Sequence, residues 1–156
     1  MSAVLFRRAI LGIVLGSAVL AAVARSAAAG ASPDTVRIED LTWVEIKARM
    51  AEGATAIIVP TGGTEQNGPH MVLGKHNYIV AYTAQEIARR LGKTLVAPVL
   101  AYVPEGSWDP PEGHMRFPGS ISLPDSVYEQ VLASTVHSFA AEGFKTVIFI
   151  GDSGPN

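Results

Sequence analysis

Apolar and polar positions fall in blocks along this chain, and the period of the pattern changes from block to block. Residues Ala9 to Ala24 form a run of apolar and small side chains with no charge in it. After a polar stretch, SPDTVRIEDL, Thr42 and Glu45 have the spacing of a capping box. That predicts a helix ending at Gly53. Ala54 to Pro60 (ATAIIVP) is a continuous apolar run of buried-strand length. A second helix is predicted from Asn77, its expected cap, to Gly92, with Ile79, Tyr82, Ala84, Ile87 and Leu91 near one face. TLVAPVLAYV reads as a second strand, and its Pro98 points to an edge or a bulge. A loop rich in Pro and Gly leads to a short strand, SISL. Asp125 then opens a helix through Val127, Val131, Leu132, Val136 and Phe139 to Gly143, and KTVIFIG is the last strand. Helices alternating with fully apolar strands specify an α/β fold: a mostly parallel sheet covered on both faces. Ligands of such sheets bind outside the carboxyl ends of the strands. GGTEQNGPH, PEGSWDPPEGHMR and GDSGPN each follow a strand, so three polar loops are expected on one rim.

Composition changes this picture at the N-terminus. The 156 residues are 48% hydrophobic and 17% charged, with a formal net charge of -2. This suits one globular domain and gives no basic surface for a nucleic-acid partner. Arg7 and Arg8 precede the apolar run, and small residues (AAAGA) follow it. Residues 1–31 therefore read as a secretory signal peptide cleaved after Ala29 or Ala31. The expected location is periplasmic or secreted, by a general secretory or twin-arginine route. The run is short for a membrane span, and membrane association would come only through an uncleaved signal segment. Residues 32–156 are the remaining domain. With no cysteine, neither a disulfide nor a lipid-anchored cysteine can form.

The candidate chemistry is concentrated in PTGGTEQNGPHMVLGKHN, residues 60–77. Glu65, His70 and His76 offer carboxylate oxygen and imidazole nitrogen, donors that suit zinc, manganese or iron. The same residues also suit a plain turn, in which Glu65 and Asn67 satisfy backbone groups and the histidines lie at the surface. Residue types alone leave both readings open. TGGT lacks the Lys-Ser/Thr ending of a phosphate loop. GDSG at 151–154 resembles the stretch around the nucleophile of chymotrypsin-like proteases, but that fold is all-β. A serine hydrolase using Ser153 on an α/β scaffold is thus a minor alternative.

Three segments together carry a more specific resemblance. VPTGGTEQNGPHMVLGKHNYIV, GHMRFPGSISLP and GFKTVIFIGDSGPN, in this order, resemble the three signature segments of the creatininase (creatinine amidohydrolase) family. The resemblance covers nearly everything after about residue 38. It implies a three-layer αβα fold, apparently truncated at the C-terminus, because family members continue beyond the third segment. It also implies a divalent-metal-dependent hydrolase of C–N bonds in small amides or cyclic amides, commonly a homo-oligomer. Carried over by position, Glu65 is the first ligand glutamate. Asn67 stands where the family has a ligand histidine, His76 where it has a bridging aspartate, and Ser153 where it has another histidine. His70 and His114 match histidines near the site.

This reading expects Glu65, His76, Asn67 and Asp152 to hold metal, zinc or manganese, with one ion rather than two. Glu65, His70 and His114 are expected in catalytic roles, and Trp108 and Ser153 against the substrate. The alternative is a truncated, non-catalytic relative that binds a small ligand on the same rim.

Overall fold

The computed structural model describes residues 34–154. The expected signal peptide lies outside them. Among the described residues no helix is long and apolar enough to cross a membrane.

Three helices, α1 (Trp43–Ala51), α2 (Lys75–Leu91) and α3 (Asp125–Glu142), surround three strands, β1 (Ala56–Thr61), β2 (Thr94–Val96) and β3 (Thr146–Gly151). The sheet is parallel throughout in the order β2-β1-β3. β1 is central because it pairs with both neighbours: Ile57 lies opposite Leu95 on one side and Val147 on the other. Alternate residues then supply two cores. Ile57, Val59, Leu95 and Ala97 pack with Phe139 and Phe144, against Ile46 and Met50 of α1. On the other face Ile58 and Val96 pack with Ala84 and Ala88 of α2. This is the three-layer αβα arrangement.

The capping box is present. Thr42 Oγ1 accepts from the Glu45 backbone N–H while the Glu45 carboxylate accepts from that of Thr42. Four expectations are corrected. α2 begins two residues before Asn77, after Gly74, because the Asn77 side chain is used elsewhere, as described below. The buried face of α2 is His76, Val80, Ala84 and Ala88, whereas Ile79, Tyr82, Ile87 and Leu91 are exposed. Small side chains let the helix approach the sheet closely, so the larger apolar residues lie on its flanks. The second strand is only three residues long and ends before Pro98, and SISL contributes isolated bridges, Ile121 to Thr64 and Ser122 to Val103. α3 buries only Tyr128 and Phe139, leaving Val127 and Val136 exposed.

Candidate metal centre

The three polar loops do meet at the carboxyl end of the sheet. The first leaves β1 and is held by the start of α2. Gly63 N–H donates to Asn77 Oδ1 at 3.0 Å, and Asn77 Nδ2 donates to Thr64 Oγ1 at 3.3 Å. Those bonds turn the chain so that Glu65 enters the interior, where it is 3% exposed. The second loop continues from β2 in extended form. Val103 and Glu105 are buried, while Tyr102 is exposed and Pro104 half-buried, the alternation of a strand. Ser122 fixes this segment: its Oγ accepts from Glu105 N–H at 2.9 Å and donates to the Gly106 carbonyl at 2.8 Å. The third loop brings Asp152 past the end of β3.

Around Glu65 the side chains fall into two sets. On one side His76 Nε2 lies 2.8 Å from Glu65 Oε1, and His76 Nδ1 lies 2.9 Å from Asp152 Oδ1. Each ring nitrogen thus faces a carboxylate. On the other side are Glu105 and His114. One ligand atom each from Glu65, Glu105 and His114 lie within 4.8 Å of one another, close to the roughly 4 Å span of one small cation's coordination sphere. His114 Nδ1 lies 3.1 Å from the Gln66 carbonyl. Gln66 Nε2 lies 3.4 Å from the same Nδ1, and His114 Nε2 faces Glu65 Oε2 at 3.1 Å. The geometry there is not that of a hydrogen bond, and among the described residues no donor reaches Glu65 Oε2 or either Glu105 oxygen when both carboxyls are ionised.

These contacts set the proton affinities. Burial, then the hydrogen-bonding capacity and charge of Glu65, push the Glu105 carboxyl up to about 8. Burial also acts to raise Glu65, but a protonated Glu105 beside it, able to donate, together with His114 and His76, holds it below the usual carboxylate range. Without a cation, the two buried carboxyls share a proton.

The other expected site residues are distributed as follows. Asn67 Oδ1 accepts from Lys75 Nζ at 2.7 Å, and Asn67 Nδ2 donates to the Glu65 carbonyl, so its oxygen already faces a cation. His70 is exposed on the turn after Gly68. Trp108 is 56% exposed and, with Gly106, Ser107, Pro124 and Ser126, lines a cavity of about 610 Å³. Ser153 is half-buried and no histidine bonds its hydroxyl, so the Ser–His pair needed by a serine hydrolase is not formed among the described residues. Glu105 is the residue that the sequence reading missed. Its signal was the period-two pattern running past the apolar segment, which puts position 105 on the inner face with Val103.

A sequence profile of the creatininase family, described as creatinine amidohydrolase, matches residues 39–156. The chain belongs to the creatininase family. It is 27% identical over 123 residues to 3-dehydro-scyllo-inosose hydrolase of Thermotoga maritima, covering 78% of this chain and 37% of that one. It is 28% identical over 116 residues to creatinine amidohydrolase of Pseudomonas putida, covering 74% and 44%. The chain therefore spans less than half the length of these curated relatives. Among solved structures, a crystal structure of creatininase superposes with a TM-score of 0.68 at 28% identity, over 76% of this chain and 45% of that one. A structure titled as the manganese form of creatininase gives 0.67 at 27% identity, and a mutant titled as Zn-Zn type gives 0.68 at 27%.

Proposed function

We propose that the protein is an exported, divalent-metal-dependent amidohydrolase that cleaves a C–N bond of a small amide or cyclic amide. The observation that carries this is the cluster of buried Glu65 and Glu105 with half-buried His114 at the carboxyl-end rim, whose ionised carboxylate oxygens find no donor among the described residues. Uncompensated buried carboxylates are costly, and a divalent cation satisfies them. The donor set fits zinc or manganese, the metals in the titles of the related structures. One ion is favoured over two, because the Lys75 ammonium occupies the side of Asn67 where a further cation would need a ligand.

Such an ion, when bound, acidifies a water and polarises the substrate carbonyl. The chain's own groups then have distinct tasks. Glu65 and His114 face each other across the site, and Gln66 orients His114 through its carbonyl. Asp152 orients His76, and His76 in turn fixes Glu65. Carboxylates at this rim can take the proton released by an attacking water and return it to the leaving nitrogen. The cavity beside Trp108 is proposed to receive the substrate, and His70 on its exposed turn can approach from solvent. The exposed apolar flank of α2, including Tyr78, Ile79 and Tyr82, supports assembly into a homo-oligomer.

The test is hydrolysis of creatinine and a panel of small lactams and open-chain amides by full-length protein, with and without Mn²⁺ or Zn²⁺. Metal-dependent turnover that falls to background in Glu65→Gln is expected. No turnover of any amide under metal-replete conditions would overturn the proposal and favour a binding protein on the same rim.

A further inference from the structure

Resting on that reading, we propose that the ion is held by Glu65, Glu105 and His114, so that the loop after β2 supplies two of its three ligands. His76, which family position would make a ligand, is instead a positioning residue. Four observations point this way. Glu105 is 3% exposed, and once ionised neither of its oxygens finds a donor among the described residues, because its neighbour is another carboxyl, Glu65. Its carboxyl lies against Gly63, where an added Cβ would be 2.4 Å from Glu105 Oε1, so the glycine leaves the room it occupies. Gln66 holds His114 Nδ1, with its carbonyl at 3.1 Å and its side-chain amide at 3.4 Å, and leaves Nε2 facing Glu65 Oε2 at 3.1 Å. His76 has no nitrogen to spare, since Glu65 takes one side of the ring and Asp152 the other.

The charge and the count agree with the geometry. Two carboxylates and a neutral imidazole neutralise a divalent ion, and three protein ligands leave a position for water, as in catalytic zinc sites. A group bonded to a ligand from behind, as His76 is to Glu65 with Asp152 in turn behind His76, is the usual form of outer-shell support.

The test uses full-length protein stripped by a chelator and titrated calorimetrically with Mn²⁺ and Zn²⁺, with Mn²⁺-loaded samples read by pulsed EPR for imidazole nitrogen. One ion per chain is expected. His76→Gln and Asp152→Asn should weaken binding about tenfold to a hundredfold, as outer-shell changes do, and Glu105→Gln by more than about a hundredfold. Glu105→Asp, which keeps the charge on a shorter stem, should fall between wild type and Glu105→Gln. The imidazole signal should vanish in His114→Gln and persist in His76→Gln. Melting curves in chelator establish that each variant is folded. Unchanged affinity in Glu105→Gln, or an imidazole signal lost in His76→Gln but kept in His114→Gln, overturns the ligand assignment and leaves a metal-dependent hydrolase standing. A wild type that takes up no divalent ion overturns both. Binding as expected by a protein that hydrolyses no amide supports the metal site and overturns the proposed function.

Discussion

The loop after β1 and the loop after β2 each deliver one glutamate to the same buried spot, by different means. Glu65 is carried by a glycine-rich turn that a helix side chain, Asn77, ties down. Glu105 is carried by extended backbone that Ser122 clamps from the side. Both are 3% exposed, yet Glu65 is held below the usual carboxylate range and Glu105 is pushed up to about 8. Depth alone therefore does not decide the charge. Two histidines face Glu65, while Glu105 faces chiefly another carboxylate, and that asymmetry makes Glu105 the one that holds the proton.

Separating the two loops should have the largest effect on stability. Gly63→Ala puts a methyl into the space of Glu105 Oε1 at a φ of +155°, and we expect a loss of about 2–3 kcal/mol in chemical denaturation. An unchanged midpoint would show that the carboxyl moves aside freely and that the loops are not tightly apposed. The two anchors come next. Asn77→Ala strands the Gly63 N–H and Ser122→Ala strands that of Glu105, so each should cost about 1–3 kcal/mol. The comparison sharpens if Asn77→Ala impairs the Glu65 side of the site and Ser122→Ala the Glu105 side, read by their separate effects on metal affinity.

The difference in proton affinity should appear in the metal-free protein as a pH slope. Glu105 binds its proton more tightly folded, at about 8, than at its ordinary value of 4.5. Its contribution is therefore fully present below about pH 4.5 and is lost as pH rises through about 8. Wild-type stability should fall from pH 5 to 8, and Glu105→Gln should flatten that slope. A slope unchanged by the substitution would place the shared proton elsewhere. The smallest effect is expected at the rim. Asp152→Asn removes a partly exposed charge beside His76 and should cost under about 1 kcal/mol, measured in the same denaturation series.

The same two loops show what the sequence could convey. Glu65 stands in a dense run of Gly, Asn and His after an apolar strand, and the rule that ligands bind at strand ends is enough to place it on the functional rim. Glu105 stands beside Asp109 and Glu112 in a Pro-rich loop, and only the burial of Val103 two positions earlier distinguishes it from them. Its importance comes from Glu65, a contact spanning forty residues that no local pattern encodes. The helices were legible in place but not in orientation. Large apolar side chains define the obvious stripe on α2, but they lie outside, because the distance between helix and sheet suits alanine. The single-strand reading of residues 94–103 failed for a related reason. The chain stays extended past Val96, but the register with β1 slips by one residue around Pro98, and pairing resumes only as an isolated bridge of Leu100 with Thr61.

The buried stripe of α2 is His76, Val80, Ala84 and Ala88, one residue every four, so the imidazole that braces Glu65 is the last rung of the ladder that packs the helix on the sheet. The thickness of that ladder sets how far the imidazole reaches. A methyl group added at Ala84 or Ala88 would lift the whole rod, and the bond at Glu65 would lengthen without any change near the carboxylate. Tuning of this centre is thus open to substitutions a dozen residues away. A survey of variants confined to the polar loops would miss them.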